Sequence, residues 1–139
     1  MASSTAASEA WELFWRIFSA DKPRRMVLLN EIGLAPMQAM ALTSLEPDEP
    51  MPMSALAGLL MCDNSNVTGI VDRLEAVGLV ERRPAERDRR VKAVGLTERG
   101  RALRGVVQLR MGEPPPPLAS LSDEDAAALR DILQRALAT

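Results

Sequence analysis

The residues best suited to chemistry in this sequence are polar and basic side chains between positions 64 and 90. Amides and hydroxyls at the start of a helix can hydrogen-bond to base edges or phosphates, and this chain offers Asn64, Ser65, Asn66 and Thr68 there. A charged loop follows about twenty residues later, with Arg87, Asp88, Arg89 and Arg90. Arg73 lies further along the same helix face and is expected to meet phosphate. This arrangement predicts nucleic-acid recognition.

The composition provides few of the residues that catalysis and metal binding use. The chain has no His, no Tyr and one Cys, so structural zinc, heme and the common Ser-His and Cys-His hydrolase designs lose most of their residues. A Gly-rich phosphate loop and paired acids in an apolar setting are missing as well. An enzyme is therefore the least favoured class, and we expect no cofactor.

Charge is distributed unevenly along the 139 residues. The net charge is -2, from 17 basic and 19 acidic side chains, which by itself argues against a polyanionic partner. Residues 73 to 104 hold ten of the basic and five of the acidic side chains, a local charge of +5; the remaining seven and fourteen leave -7. Positive charge is thus concentrated where a nucleic acid would be met.

Apolar periodicity and end signals predict the elements that position these residues. After a loose Ser/Ala/Thr leader we expect helices at 9–19, 26–32 after a break at Pro23, 36–45, 54–61 with Ser54 as cap, 64–77 capped by Asp63 and ended by Gly78, 98–111 capped by Thr97, and a last helix capped by Ser122. Two strands are expected at Leu79–Arg83 and Val91–Thr97, joined by the loop PAERDRR. A loop is expected at 46–52, and a stiff extended spacer at Pro114–Pro117.

The predicted inward faces follow helical spacing. They comprise Met37, Met40, Ala41 and Leu45 in one helix, Leu56, Leu59 and Leu60 in the next, and Val67, Ile70, Val71, Leu74 and Val77 in the third.

Two short helices joined by a tight turn and followed by a hairpin with a basic tip are the layout of a winged helix-turn-helix. The run LAGLLMCDNSNVTGIVDRLEAVGLVERRPAERDRRVKAVGLTERGRAL resembles the DNA-binding core of the MarR (multiple antibiotic resistance regulator) family over about residues 34 to 104. The resemblance implies a mainly α fold with a β-hairpin wing. It also implies a two-fold homodimer that reads a pseudo-palindromic site on double-stranded DNA, usually as a repressor relieved by a small molecule or by oxidation. We expect an N-terminal dimerisation region at 1–33, the winged helix at 34–96 and C-terminal dimerisation helices at 97–139.

For single residues, the resemblance implies that Arg90 enters the minor groove and that Asp88 holds it. Gly69 departs from the family, whose members often carry a larger polar or basic residue there. Simpler explanations stay open: Ser65 and Asn66 as helix-start caps, and the charged loop as a solvated surface.

The four aromatic residues fall in the first predicted helix: Trp11, Phe14, Trp15 and Phe18. With the apolar stripe Leu129, Ile132 and Leu133 of the last helix they are expected to form the dimerisation region. The aromatic helix, together with Met26, Met37 and Met40, could instead line a pocket for a small aromatic or lipophilic ligand.

Other expectations concern redox chemistry, location and the competing classes. Cys62 is expected to be a small buried hydrophobe in the turn between two helices, with a redox role as the alternative. No apolar stretch approaches about 20 residues and the start lacks a signal-peptide pattern, so we expect a cytoplasmic protein without a membrane partner. A winged helix that binds proteins instead of DNA is the main alternative, and the basic DRR tip argues against it; a metal-sensing winged helix lacks ligands.

Overall fold

The computed structural model describes residues 4–85 and 87–139, which are mainly helical with one small antiparallel sheet. The elements run α1 (Thr5–Ala20), α2 (Lys22–Ile32), α3 (Pro36–Ser44), β1 (Met51–Pro52), α4 (Met53–Leu60), α5 (Asn64–Ala76), β2 (Val80–Pro84), β3 (Lys92–Leu96), α6 (Glu98–Met111), α7 (Pro116–Ala119) and α8 (Asp123–Leu137). The predicted fold class is confirmed. Glu86, in the predicted charged loop, and the first three residues of the predicted leader lie outside the described residues.

The sheet has three strands in the order β1-β3-β2, with both pairs antiparallel. Arg82 of β2 and Met51 of β1 both pair with Val94, from opposite sides of β3. The predicted hairpin is confirmed, whereas the prediction of a plain loop at 46–52 was wrong at its end. A two-residue strand ending in proline has no alternating pattern to reveal it, and only its pairing with β3 makes it a strand.

Helix α5 has the start that the sequence predicts. The Asp63 carboxylate accepts a hydrogen bond from the Asn66 N–H at 2.9 Å, and Val67, Ile70, Val71 and Leu74 are buried below it. The helix ends at Ala76, and Gly78 takes a φ of 77°, a left-handed conformation that glycine adopts without strain. The inward placement of Val77 was wrong: this residue lies beyond the last helical turn and is 50% exposed.

Three other inward-facing predictions also fail, at Met37, Met40 and Leu59, which are exposed. Helix α3 buries Ala39, Ala41 and Leu42 instead. The error has one cause: α3 and α4 are apolar on more than one side, so periodicity does not select which side faces the core. Ser54 is not a helix cap, because α4 already begins at Met53.

The predictions for the N-terminal leader and for the proline tract were also wrong in part. The leader is not loose, since Ser4 accepts a hydrogen bond from the Ala7 N–H at 3.1 Å and α1 begins at Thr5. The proline tract is not wholly extended, because α7 begins at Pro116. Proline is tolerated in a first helical turn, where its missing N–H has no intrahelical partner to lose. The caps at Thr97 and Ser122 are confirmed.

The chain divides into two compact units. One comprises residues up to Arg24 together with Glu113–Thr139, and the other is Arg25–Gly112. The hydrophobic core lies in the second unit and includes Leu42, Leu56 and Val94. Whether the functional divisions fall at 33/34 and 96/97 stays a prediction.

In the first unit, no described apolar side chain is buried. Asp21, in contrast, is buried, and Arg24 Nε and Nη2 donate to both oxygens of its carboxylate at 2.6 and 3.0 Å. The hydrogen bond to Asp21 raises the pKa of Arg24. Of the described helices, none is long and apolar enough by itself to cross a membrane; one pair bent by 76°, Thr5–Ile32 with Pro36–Ser44, meets that criterion jointly.

Candidate nucleic-acid interface

The first turn of α5, which we call the reading end (Asn64, Ser65, Asn66, Thr68), is exposed to solvent. Two of its hydroxyls are already engaged locally: Ser65 Oγ donates to Asp63 Oδ1 at 2.8 Å, and Thr68 Oγ1 donates to the Asn64 carbonyl at 2.7 Å. The side-chain amides of Asn64 and Asn66 make no hydrogen bond with another described residue. These amides are therefore available as donors and acceptors, and an asparagine amide is a group that can pair with adenine.

The Asp63 carboxylate organises this turn. It accepts hydrogen bonds from the Asn66 N–H and from the Ser65 hydroxyl. Both bonds lower the pKa of Asp63, and the bond from the Asn66 N–H has the larger effect. An ionised cap also interacts favourably with the positive end of the helix dipole. The reading end is therefore held in helical geometry before any ligand arrives.

The reading end borders two open grooves, each of about 390 Å³. One lies towards the sheet and is lined by Met53, Ser54, Asn64, Val67, Thr68, Arg82, Val91 and Lys92. The other lies towards α3 and is lined by Met37, Cys62, Ser65, Asn66, Gly69, Ile70 and Arg73. The structure thus brings Asn64 and Thr68 beside the base of the wing, and Asn66 beside Arg73.

The wing loop (Ala85 and Arg87–Val91) is shaped by its own backbone. The Ala85 N–H donates to the Val91 carbonyl at 2.9 Å, and the Val91 N–H donates to the Asp88 carbonyl at 3.0 Å. Asp88 Oδ1 accepts from the Arg90 N–H at 3.0 Å and from its Nε at 3.3 Å. The Arg90 side chain is nevertheless 92% exposed, so its guanidinium projects from the loop.

An arginine that the sequence did not single out joins the wing to α5. Arg82 of β2 donates from Nη2 to Asp72 at 2.6 Å and from Nη1 to Glu75 at 2.8 Å, and its own N–H donates to Glu75 at 3.1 Å. The side chain is 25% exposed. Two carboxylates of α5 thereby hold the first wing strand against the helix. Arg82 was visible in the sequence only as one of ten cations in residues 73 to 104.

Few of those ten cations are free. Arg82, Arg83 and Arg90 are paired with acids, Arg99 and Arg101 donate to backbone carbonyls, and Arg104 donates to Gln108. Among the ten, the exposed cations that make neither an ion pair nor a hydrogen bond with a described residue are Arg73, Arg87, Arg89 and Lys92. Fewer cations are therefore available to a ligand than the sequence count indicates. These four lie at the wing and along α5.

Comparison with known proteins identifies this arrangement. Residues 34–92 match the family model described as MarR family. The uncharacterised HTH-type transcriptional regulator YfiV of Bacillus subtilis (strain 168) is 29% identical over 138 residues, covering 96% of this chain and 86% of YfiV. Residues 34–92 therefore form a MarR-family segment.

Solved MarR structures share the fold. A MarR family protein from Bacillus stearothermophilus superposes with a TM-score of 0.77 at 27% identity, covering 96% of this chain and 95% of that one. A mutant of S. aureus MepR, bound to an oligodeoxyribonucleotide, superposes with a TM-score of 0.66 at 24% identity, covering 92% and 96%. The winged-helix expectation is confirmed, and helix-turn-helix transcription regulation is the activity of the family.

The remaining predicted site residues lie on helices α1 and α8. Trp11, Phe14, Trp15 and Phe18 stack along α1, with ring centroids 5.8 to 6.2 Å apart, and Leu129, Ile132 and Leu133 lie on α8. All seven belong to the first unit. Cys62 is half-buried against the core, as a small apolar side chain would be.

Proposed function

We propose that this chain is a homodimeric repressor that binds a pseudo-palindromic site on double-stranded DNA through the reading end and the wing loop. The observation that carries the proposal is that Arg73, Arg87 and Arg89, which pair with no described residue, lie on the same unit as Asn64 and Asn66, whose amides bond to no described residue. Phosphate contacts would position the protein, and amide contacts to base edges would select the sequence. Repression follows from occupying the DNA that transcription requires.

The two halves of the site have different tasks. The start of α5 enters the major groove, where an asparagine amide can form two hydrogen bonds with adenine, a contact worth about 1 to 3 kcal/mol of discrimination. Arg90 enters the minor groove, since a planar guanidinium loses little hydration there. Asp88 limits the directions that Arg90 can take.

Dimerisation is assigned to the first unit. Its helices α1 and α8 expose large apolar side chains, among them Trp11 at 64% and Ile132 at 53%. The stacked rings of α1 form a contiguous apolar surface, which is unfavourable in water and marks an interface. A second copy of the chain is the occupant, because a pseudo-palindromic site presents the same contacts twice about a two-fold axis.

We further propose a cytoplasmic location without membrane attachment, and release of DNA by a small aromatic or lipophilic ligand. Binding, and not catalysis, is the activity. The family resemblance supports each of these points.

Selection of preferred duplexes from a random pool tests the function. Arg87→Ala and Arg89→Ala should weaken binding similarly on preferred and random DNA, and each phosphate that is no longer neutralised should make the salt slope shallower by about 0.9. Asn66→Ala and Arg90→Ala should instead reduce the preference for the selected site by about tenfold. Arg130→Ala, on α8, makes the same charge change in the other unit and should alter neither property.

A dimer that shows no preference for any duplex at moderate salt would contradict the proposal and favour a protein-binding winged helix.

A further inference from the structure

Gly69 occupies the centre of the exposed face of α5, with Ser65 and Asn66 one turn before it and Asp72 and Arg73 one turn after it. The buried residues Val67, Val71 and Leu74 lie on the other side of the helix. The middle of the face that carries the reading residues therefore has no side chain.

Nothing in the free chain requires glycine at this position. A Cβ built on Gly69 would meet no atom within 4 Å, and its φ lies outside the left-handed region. Gly100 differs sharply, because a Cβ there would collide with the Leu79 carbonyl oxygen. Glycine also lowers helix propensity relative to alanine. Folding thus disfavours Gly69, and neither packing nor backbone conformation compensates.

The space beside Gly69 is part of the groove of about 390 Å³ that also contains Asn66 and Arg73 in its lining. Asn66 has a free amide and Arg73 a free cation, so the groove presents a base-reading group and a phosphate-binding group on the two sides of the glycine. A side chain at position 69 would project between them. Glycine permits the close approach of backbone to a ligand that any Cβ would prevent.

We propose that Gly69 is a specificity-determining residue of the DNA interface. Its missing side chain lets the α5 backbone approach the floor of the major groove closely enough for the short Asn66 amide to reach base edges. This inference rests on the proposed DNA-binding function. It reverses the simpler view that glycine here only removes a side chain that could have bound DNA.

The test compares Gly69→Ala with Gly105→Ala in the full-length protein. Gly105 is the matched control, since it lies in α6 and a Cβ there also meets nothing within 4 Å. Both substitutions should raise the melting temperature, because both replace a poor helix former on an open surface. Gly69→Ala should nevertheless reduce the preference for the selected duplex over random DNA by about tenfold, the effect of removing one base contact, whereas Gly105→Ala leaves the preference unchanged. Gly69→Leu should reduce it further.

The outcomes separate the inference from the function on which it rests. If the unmodified protein prefers no duplex, the proposed function fails. If it does prefer one, and Gly69→Ala or Gly69→Leu binds that duplex with equal or greater preference, the close-approach inference is overturned while the function stands. Opposite changes in melting temperature and DNA preference for Gly69→Ala would support the inference, because a merely structural role moves both in the same direction.

Discussion

Hydrogen bonds within the reading end divide its side chains by availability. The hydroxyls of Ser65 and Thr68 donate to Asp63 and to the Asn64 carbonyl, respectively. The side-chain amides of Asn64 and Asn66 make no hydrogen bond with another described residue. Local hydrogen bonding therefore engages the two hydroxyls and leaves the two amides without a bond to a described residue. Asn66 takes part in both, because its backbone N–H satisfies the cap and its side chain remains free.

At the residue scale, Asp63 should make the stability of α5 sensitive to acid. Its pKa is lowered in the folded chain from the ordinary 3.8, so the stabilisation by the carboxylate is complete above that value and is lost as the pH falls through the lowered pKa. Asp63→Asn keeps a capping oxygen but cannot titrate. We expect thermal unfolding midpoints, followed from neutral pH to about pH 2, to fall more steeply for the unmodified protein than for Asp63→Asn. Parallel curves would contradict the role given to Asp63.

Close contact between elements sets the frame of the wing. Arg82 joins β2 to Asp72 and Glu75 of α5, and Gly100 lets the first turn of α6 approach the Leu79 carbonyl at the start of β2. Thr97 adds to this junction, because its hydroxyl donates to the Gly78 carbonyl at 2.7 Å while its oxygen caps α6. Threonine and glycine at these two positions therefore have a packing reason, because together they hold the start of α6 against the end of α5.

At the element scale, Gly100→Ala should destabilise the protein by about 1 to 3 kcal/mol, the usual effect of overpacking, since the new methyl group meets a backbone oxygen that cannot rotate away. Gly105→Ala, in the same helix, should stabilise it by about 0.5 to 1 kcal/mol. Urea unfolding of the two variants measures both effects. Destabilisation of equal size by the two substitutions would show that helix propensity, and not the contact with Leu79, decides the outcome.

Across the whole molecule, the hydrophobic core and the basic segment lie in the same unit. The core fills the unit Arg25–Gly112, which also holds residues 73 to 104, whereas no described apolar side chain of the other unit is buried. A net charge of -2 conceals the basic segment, because acidic residues elsewhere balance it.

At this scale, Leu133→Glu should convert the proposed dimer to a monomer, because it places a charge on the exposed apolar face of α8. Leu59→Glu is the control: Leu59 is 55% exposed, like the α8 side chains, but lies on α4 in the other unit. Sedimentation equilibrium should give half the mass for Leu133→Glu and an unchanged mass for Leu59→Glu. Affinity for the selected duplex should fall at least about a hundredfold for the monomer, since the second half-site is no longer bound intramolecularly. An undisturbed dimer would move the interface away from α8.

Features that depend on residues close together in the sequence could be predicted, and features that depend on distant contacts could not. Asp63, Thr97 and Ser122 were identifiable as caps, and Gly78 as a helix terminator, because each acts on backbone within a few residues. Strand β1 was not identifiable, because its two residues become a strand only by pairing with β3, some forty positions away. Met37, Met40 and Leu59 were misplaced for the same reason, since which apolar face turns inward depends on the neighbouring helices.

The sequence by itself determined the resemblance to the MarR family and the order of helices and wing, and it predicted the candidate reading residues, because local spacing and residue type carry that information. Only the tertiary structure decided which cations are free. In the sequence Arg82 is one of ten basic residues, and only folding brings Asp72 and Glu75 to it; Gly69 is only a departure from the family pattern, and only the structure shows that its surroundings are open. Availability to a ligand depends on partners that the chain brings together in space, which no count along the sequence contains.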